Sequence, residues 1–434
     1  FVLTYNRIHA TEKVCIATRS YVHQNLYDRL STRPFLTKGE KIWILYQILR
    51  VLKSTHCYMA HGDLKLENIL LTSWGFVVLS DFTFRIKPTL LSNETVIAEY
   101  DYFFDTSNRQ SCYIAPERLI YDPLKSHSHN KIHQPEKKEP TINFLKGNPT
   151  LNNIDLIPSM DIFSLGCVIF QIFTDGKILF KLTKLLSYCR HELSFESIEK
   201  IVRENIENDT ICNMICNMIN INPENRLFAN EYLENKNIFP TYFDFMYKVA
   251  LNIAHLDPSP EIIFHYIQKQ THKLIKIIKN TPKIHNHDPD SAYLFIINIL
   301  TSVSTKLKLN KFKIDFFNLM INISKYLNCD IILNRILPYI LLFIKDSDDD
   351  IRQLIPYYTI QLVKGISTVY SIEEANLFSD YIFPKLRKLE TDPSLCVRIE
   401  LAKAVPELYS EALRYHFLIK EGVQSGKIES SNVL

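Results

Sequence analysis

The segment His61-Gly62-Asp63-Leu64-Lys65-Leu66-Glu67-Asn68 gathers a carboxylate, an ammonium and an amide, and a second carboxylate follows at Asp81. Each type has a distinct use in phosphoryl transfer. Asp63 is placed to accept the proton of an attacking hydroxyl and to orient it, and Lys65 to offset charge on the transferring group. Asn68 and Asp81 supply hard oxygens of the kind that hold Mg²⁺. A single Asp or Asn in a loop is ordinarily a turn residue or a helix cap. Joint spacing is what argues for chemistry here.

That spacing matches the protein-kinase pattern H-x-D-L-K-x-x-N. Asp81-Phe82-Thr83 stands where kinases carry D-F-G, and Ala115-Pro116-Glu117 closes the segment after it. Asp161-Ile-Phe-Ser164-Leu-Gly166 and Asn222-Pro223-Glu-Asn-Arg226 follow in the kinase order. On this reading Asp63 and Lys65 are catalytic, and Asn68 and Asp81 bind the Mg²⁺ of ATP or another nucleotide. His61, Glu117, Asp161 and Arg226 are structural, with Glu117 and Arg226 forming a buried ion pair and Asp161 accepting backbone N–H bonds. Two positions depart from the pattern. Gly62 replaces an arginine, which removes the partner of a phosphate on Thr106, Ser107 or Ser111. Thr83 replaces a glycine, and its β-branch restricts the backbone after Asp81.

Three longer stretches are more specific: Tyr21–Phe35, His61–Asn68 with Leu71–Trp74, and Tyr102–Arg109 with Cys112–Arg118. They closely resemble the protein-kinase-like regulatory subunit of the class III phosphatidylinositol 3-kinase complex, the vacuolar-protein-sorting protein fifteen family. The resemblance implies a serine/threonine-protein-kinase-class chain whose main work is scaffolding. It implies partnership with the lipid kinase and with autophagy and endosomal subunits. It also implies peripheral association with endosomal, autophagic and vacuolar membranes through that complex. The alternatives are an active ATP-dependent serine/threonine kinase and an inert HEAT-repeat adaptor.

The elements that must position these residues are mainly helical. Lys38–Cys57 carries apolar residues at helical spacing, and Met160–Thr174 is apolar nearly all round, so that both read as buried helices. Ile69–Leu71 and Phe76–Leu79 flank Thr72–Gly75 as a hairpin. Residues 11–22 read as one strand entering a connector. Ahead of His61 there is neither a glycine-rich loop nor a lysine–glutamate pair, and Lys13 is badly placed to supply one. The expected fold is therefore a kinase-like carboxy-terminal lobe with its amino-terminal lobe largely missing, over residues 1–250. An insertion over about residues 122–158, rich in Lys, His, Pro and Asn, reads as disordered.

After the linker Leu256-Asp-Pro-Ser-Pro260, helical patterns cover Glu261–Asn280, Ser291–Leu309 and Lys311–Leu327. Pro338 and Pro384, Asp346 and Asp392, and Arg352 and Arg398 share one offset of 46 residues. That is a HEAT-type period, and residues 259–434 are expected to form an α-solenoid. Proline starts or bends the first helix of each pair, Asp ends it, and Arg opens the second helix where it can bridge to an Asp. Lys269, Lys273, Lys276 and Lys279 share one face and read as a solvated surface.

Composition narrows the choice further. The 434 residues suggest two or three domains, with 46% hydrophobic and 22% charged residues. A net charge of +3 gives no footprint for nucleic acid. The longest apolar runs, such as Ile336–Ile344, are too short to span a bilayer, and Phe1–Ala10 lacks the features of a signal peptide. Only 9 glycines occur and they are not clustered, which excludes a Rossmann fingerprint and a Walker loop. The 9 cysteines form no C-x-x-C pair. Cys212 and Cys216 read as helix core, and a reducing, cytoplasmic compartment is expected. The run from His127 through His129 to His133 reads as a polar loop.

Overall fold

The structure, a computed structural model, describes residues 2–83, 87, 90–91, 96–119, 156–281, 290–369, 374 and 376–424. Most of the insertion expected at 122–158, with His127, His129 and His133, lies outside them. The chain is mainly α. It separates into two units, with the main division between Pro240 and Thr241. That is ahead of the Leu256–Pro260 linker, because the helix over Tyr242–His255 packs on the helices that follow it. No described helix is long and apolar enough to cross a membrane.

The first unit opens with β1 (Tyr5–Ala10) and β2 (Cys15–Arg19), an antiparallel hairpin with Ile8 opposite Ala17. Thr11 N–H donates to Val14 O at 2.7 Å to close its turn, where Lys13 lies. The single strand read over residues 11–22 is present as Cys15–Arg19, but residues 11–14 are a turn, and the partner strand over Tyr5–Ala10 was not expected. A three-stranded antiparallel sheet follows in the order β3 (Gln24–Asn25), β4 (Ile69–Leu71), β5 (Val77–Leu79).

Between β3 and β4 stand α1 (Leu26–Leu30) and α2 (Lys38–Thr55). Thr37 and Glu40 form a reciprocal capping box at the start of α2, at 2.9 and 3.2 Å. Helix α2 is buried on nearly every side, and Gln47 Oε1 accepts from Val77 N–H at 3.0 Å, tying it to β5. A short 3-10 turn, Leu66–Asn68, carries the chain from the candidate loop into β4. After α3 (Val96–Phe103), α4 runs over Pro158–Phe173 with proline in its first turn, where no N–H is needed.

Residues Met160–Ile172 of α4 are all buried. Gly166 permits the close approach of α7 (Asp209–Met218), because a Cβ there would lie 2.9 Å from Met218 Cβ and 2.8 Å from Ile219 Cγ2. Helices α5 (Leu182–Cys189), α6 (Phe195–Asn205) and α8 (Ala229–Leu233) complete the unit, α6 packing on α7 and α8 on α2. Cys212 and Cys216 are buried on α7.

In the second unit α9 (Tyr242–His255), α10 (Pro260–Asn280), α11 (Asp290–Ser304) and α12 (Asn310–Ser324) pack in succession. The two 46-residue repeats then show the same local design. A π-helical turn, Ile332–Ile336 or Leu377–Ile382, runs into Leu337–Leu342 or Phe383–Leu386, with Pro338 or Pro384 in the first turn. Proline lacks the N–H of the regular ladder, so a wider turn at this point is its direct consequence.

A 3-10 turn, Phe343–Lys345 or Arg387–Leu389, ends each first helix. Arg352 then donates to Asp392 at 2.7 and 2.9 Å while also reaching Asp346 O at 2.9 Å. Arg398 repeats the inner contact, donating to Asp392 O. Lys313 meets the carboxylate of Asp346 at 2.7 and 2.8 Å, which puts a cation on the equivalent Asp one repeat earlier. Hydrogen bonds from Arg352 are the first reason that the Asp392 carboxyl is held below its ordinary value.

Candidate functional site

The loop over residues 61–68 is held from below by one buried carboxylate. Asp161, near the start of α4 and 1% exposed, accepts from His61 N–H at 2.6 Å and Gly62 N–H at 2.9 Å. His56 Nε2 adds a contact at 3.0 Å. Burial pushes the Asp161 carboxyl upward, but the bonds and charges of His56 and His61 outweigh it, and its pKa lies below the usual carboxylate value. His61 is itself fully buried. Its Nε2 lies 2.9 Å from Ser80 O, Nδ1 faces Asp63 N–H at 3.2 Å, and its ring sits 4.2 Å from that of Phe82. Desolvation lowers its pKa, which keeps the imidazole neutral.

Asp63, Lys65 and Asn68 are brought together. Asn68 Nδ2 donates to Asp63 O at 2.7 Å and to Asp63 Oδ2 at 3.0 Å. Lys65 Nζ lies 3.2 Å from the same oxygen and donates to Phe104 O at 3.2 Å. Asp81 adopts φ +61°, a left-handed conformation that Asp tolerates better than most residues. Among the described residues no direct bond joins Asp81 to Asp63, Lys65 or Asn68. Ser80 is the link: its hydroxyl donates to Asp81 Oδ2 at 3.0 Å, and its N–H donates to Asn68 O at 3.0 Å.

Asn68 and Asp81 are hard-oxygen donors that suit Mg²⁺. The Arg19 guanidinium stands on Asp81 Oδ1 at 2.9 Å, an exposed contact that an incoming cation would replace. The two donor types suit the ion, and Arg19 is the group that a cation at Asp81 would have to displace. Glu117 and Arg226 lie apart from this loop and meet each other at 2.7 and 3.0 Å, with the Arg226 side chain fully buried. Their pair fastens the Pro116–Arg118 turn to the chain after α7.

The two departures at positions 62 and 83 fit one another. Gly62 has φ +81°, and a Cβ there would stand 2.5 Å from Leu156 Cδ1 and 3.0 Å from Thr83 Oγ1. Thr83 N–H donates to His61 O at 3.1 Å, and its buried hydroxyl has no partner among the described residues. Removing a side chain at one position leaves room for the other.

Two groups were not found by sequence reasoning. Arg118 donates to Gly62 O at 2.6 Å with its guanidinium 5.0 Å from the Phe104 ring, close to where the pattern's arginine is missing. Its place directly after Ala115-Pro116-Glu117 was the available signal. Lys87 reaches Asp63 Oδ2, and nothing in its sequence neighbourhood announces that contact.

Comparison with known proteins agrees with this architecture. Residues 296–432 match the family model "PIK3R4-like, middle domain". The chain is 28% identical over 459 residues to "Serine/threonine-protein kinase VPS15" of Saccharomyces cerevisiae, covering 89% of this chain and 30% of that protein. It is 36% identical over 281 residues to "Probable serine/threonine-protein kinase vps15" of Dictyostelium discoideum, covering 64% of this chain and 13% of that protein. The Arabidopsis thaliana "Serine/threonine-protein kinase VPS15" is 40% identical over 238 residues, which is 54% of this chain and 14% of that protein. The chain thus spans less than a third of the length of these relatives. Similarity through the loop-bearing unit and a matched middle domain behind it place the chain in the VPS15/PIK3R4-like family.

Proposed function

We propose that the chain is a regulatory and scaffolding part of a class III phosphatidylinositol 3-kinase complex, acting in endosome-to-vacuole sorting and autophagy. Its helical-repeat unit docks the lipid kinase and further complex subunits. Its membrane association is peripheral and runs through them. The match of residues 296–432 to the PIK3R4-like middle domain carries this reading. Co-expression with the class III lipid kinase of the same organism tests it: the two chains should co-purify at near-equal stoichiometry in mild salt. Separate elution of the two would refute it.

A second reading, ATP-dependent phosphorylation of Ser or Thr, is favoured by the meeting of Asp63, Lys65 and Asn68. A bound Mg²⁺–nucleotide would supply the phosphoryl group. Asn68 and Asp81 would hold the ion, Lys65 would balance charge, and Asp63 would orient the acceptor hydroxyl and take its proton. Phosphate transfer that is equal in the Asp63→Asn form and the parent chain would end this reading.

A further inference from the structure

The Asp63 carboxylate is bonded unevenly. Three donors converge on Oδ2: Asn68 Nδ2 at 3.0 Å, Lys65 Nζ at 3.2 Å, and the ammonium of Lys87. Among the described residues none is bonded to Oδ1. A carboxylate that is to take a proton from a hydroxyl needs one oxygen free and the group held from turning. Saturating one oxygen achieves both.

Lys87 is well placed for this. Its side chain and that of Asp63 are 15% and 8% exposed, so the pair is largely sheltered from water. The ammonium also lies 5.1 Å from the centre of the Phe104 ring, whose backbone carbonyl accepts from Lys65. Phe104 thus steadies both lysines from one side, one through its ring and one through its oxygen. Arg118 on the same ring adds a third cation to the neighbourhood of a single carboxylate.

We propose that Lys87 is a positioning residue for Asp63. Its ammonium ties Oδ2 together with Lys65 and Asn68, and leaves Oδ1 as the oxygen presented to an acceptor hydroxyl. The inference rests on reading Asp63 as the proton acceptor of a phosphoryl-transfer site, and the surplus of cations around it suits an acceptor that carries negative charge beside its hydroxyl.

The full chain supports a two-part test. In the first part, lysines are acetylated with trace acetic anhydride and quantified by mass spectrometry, with exposed Lys269 as internal reference. Lys87 should react at least tenfold more slowly than Lys269 in the parent chain, and that protection should be lost in Asp63→Asn. Equal labelling of Lys87 in the two forms would overturn the proposal without bearing on partner docking. In the second part, γ-phosphoryl transfer from ATP to a Ser/Thr peptide mixture is compared for Lys87→Met and Lys87→Arg. The Met form should lose at least tenfold in kcat with KM for ATP unchanged, and the Arg form should recover most of the loss. An unchanged or raised kcat in Lys87→Met would overturn the proposal. A parent chain that transfers no phosphate would remove the acceptor role of Asp63, and the positioning role of Lys87 with it, whatever the labelling shows.

Discussion

Replacing Asp161 by Asn isolates the tether beneath the candidate loop. The carboxylate uses Oδ1 for Gly62 N–H and Oδ2 for His61 N–H and His56. An asparagine has one carbonyl oxygen, so either orientation turns an NH₂ toward a buried backbone N–H. A buried donor left unsatisfied costs about 1–3 kcal/mol, and the remaining bonds lose their charge assistance. A total of about 3 kcal/mol follows. At roughly 2–4 °C per kcal/mol for a unit of this size, the melting midpoint should fall by about 6–12 °C. Amide exchange gives the sharper assay, because the His61 and Gly62 protons should lose protection before the body of α4 does. A midpoint within about 1 °C of the parent, with both amides still protected, would refute the tether argument.

Acid should weaken the fold through His61. Burial holds its folded-state pKa below the ordinary histidine value of about 6.5. The unfolded chain therefore takes up the proton first, so stability is full above that value and declines below it. His61→Gln should flatten the midpoint between pH 7 and about pH 5; an unchanged slope would assign the effect elsewhere. Gly62→Ala should destabilise by about 1–3 kcal/mol through its left-handed backbone and its clash with Leu156, as measured by urea unfolding. Arg226→Met should cost about 3–5 kcal/mol by stranding Glu117, and Glu117→Leu added to it should restore part of that loss in the same measurement. Arg352→Met and Asp392→Asn should each lower the melting midpoint, and together lower it by less than their sum in a double-mutant cycle.

Much of the site could be read from the sequence because its chemistry is local. Asp63, Lys65 and Asn68 lie within one loop, and their spacing alone brings them into contact. The repeat was legible for a different reason: Pro338, Asp346 and Arg352 recur at Pro384, Asp392 and Arg398 at one fixed offset, and the Arg352–Asp392 bridge joins one copy to the next. What escaped depends on segments far apart in the chain. Arg118 reaches back to Gly62, and Lys87 to Asp63, through folding of the intervening chain. The β1–β2 hairpin was misread because all its residues are exposed, which leaves no apolar alternation to mark where each strand begins. Thr83 could be read as a departure but not as the complement of Gly62, since that fit also involves Leu156 across the fold.

The bridge from Arg352 to Asp392 also limits how the second unit can change in evolution. One guanidinium must reach its own loop carbonyl and a carboxylate forty positions onward at the same time. Inserting or deleting a single residue within either intervening helix would rotate the carboxylate by about 100° about the helix axis and carry it out of reach. Length variation should therefore collect in the turns or arrive as duplication of a whole hairpin.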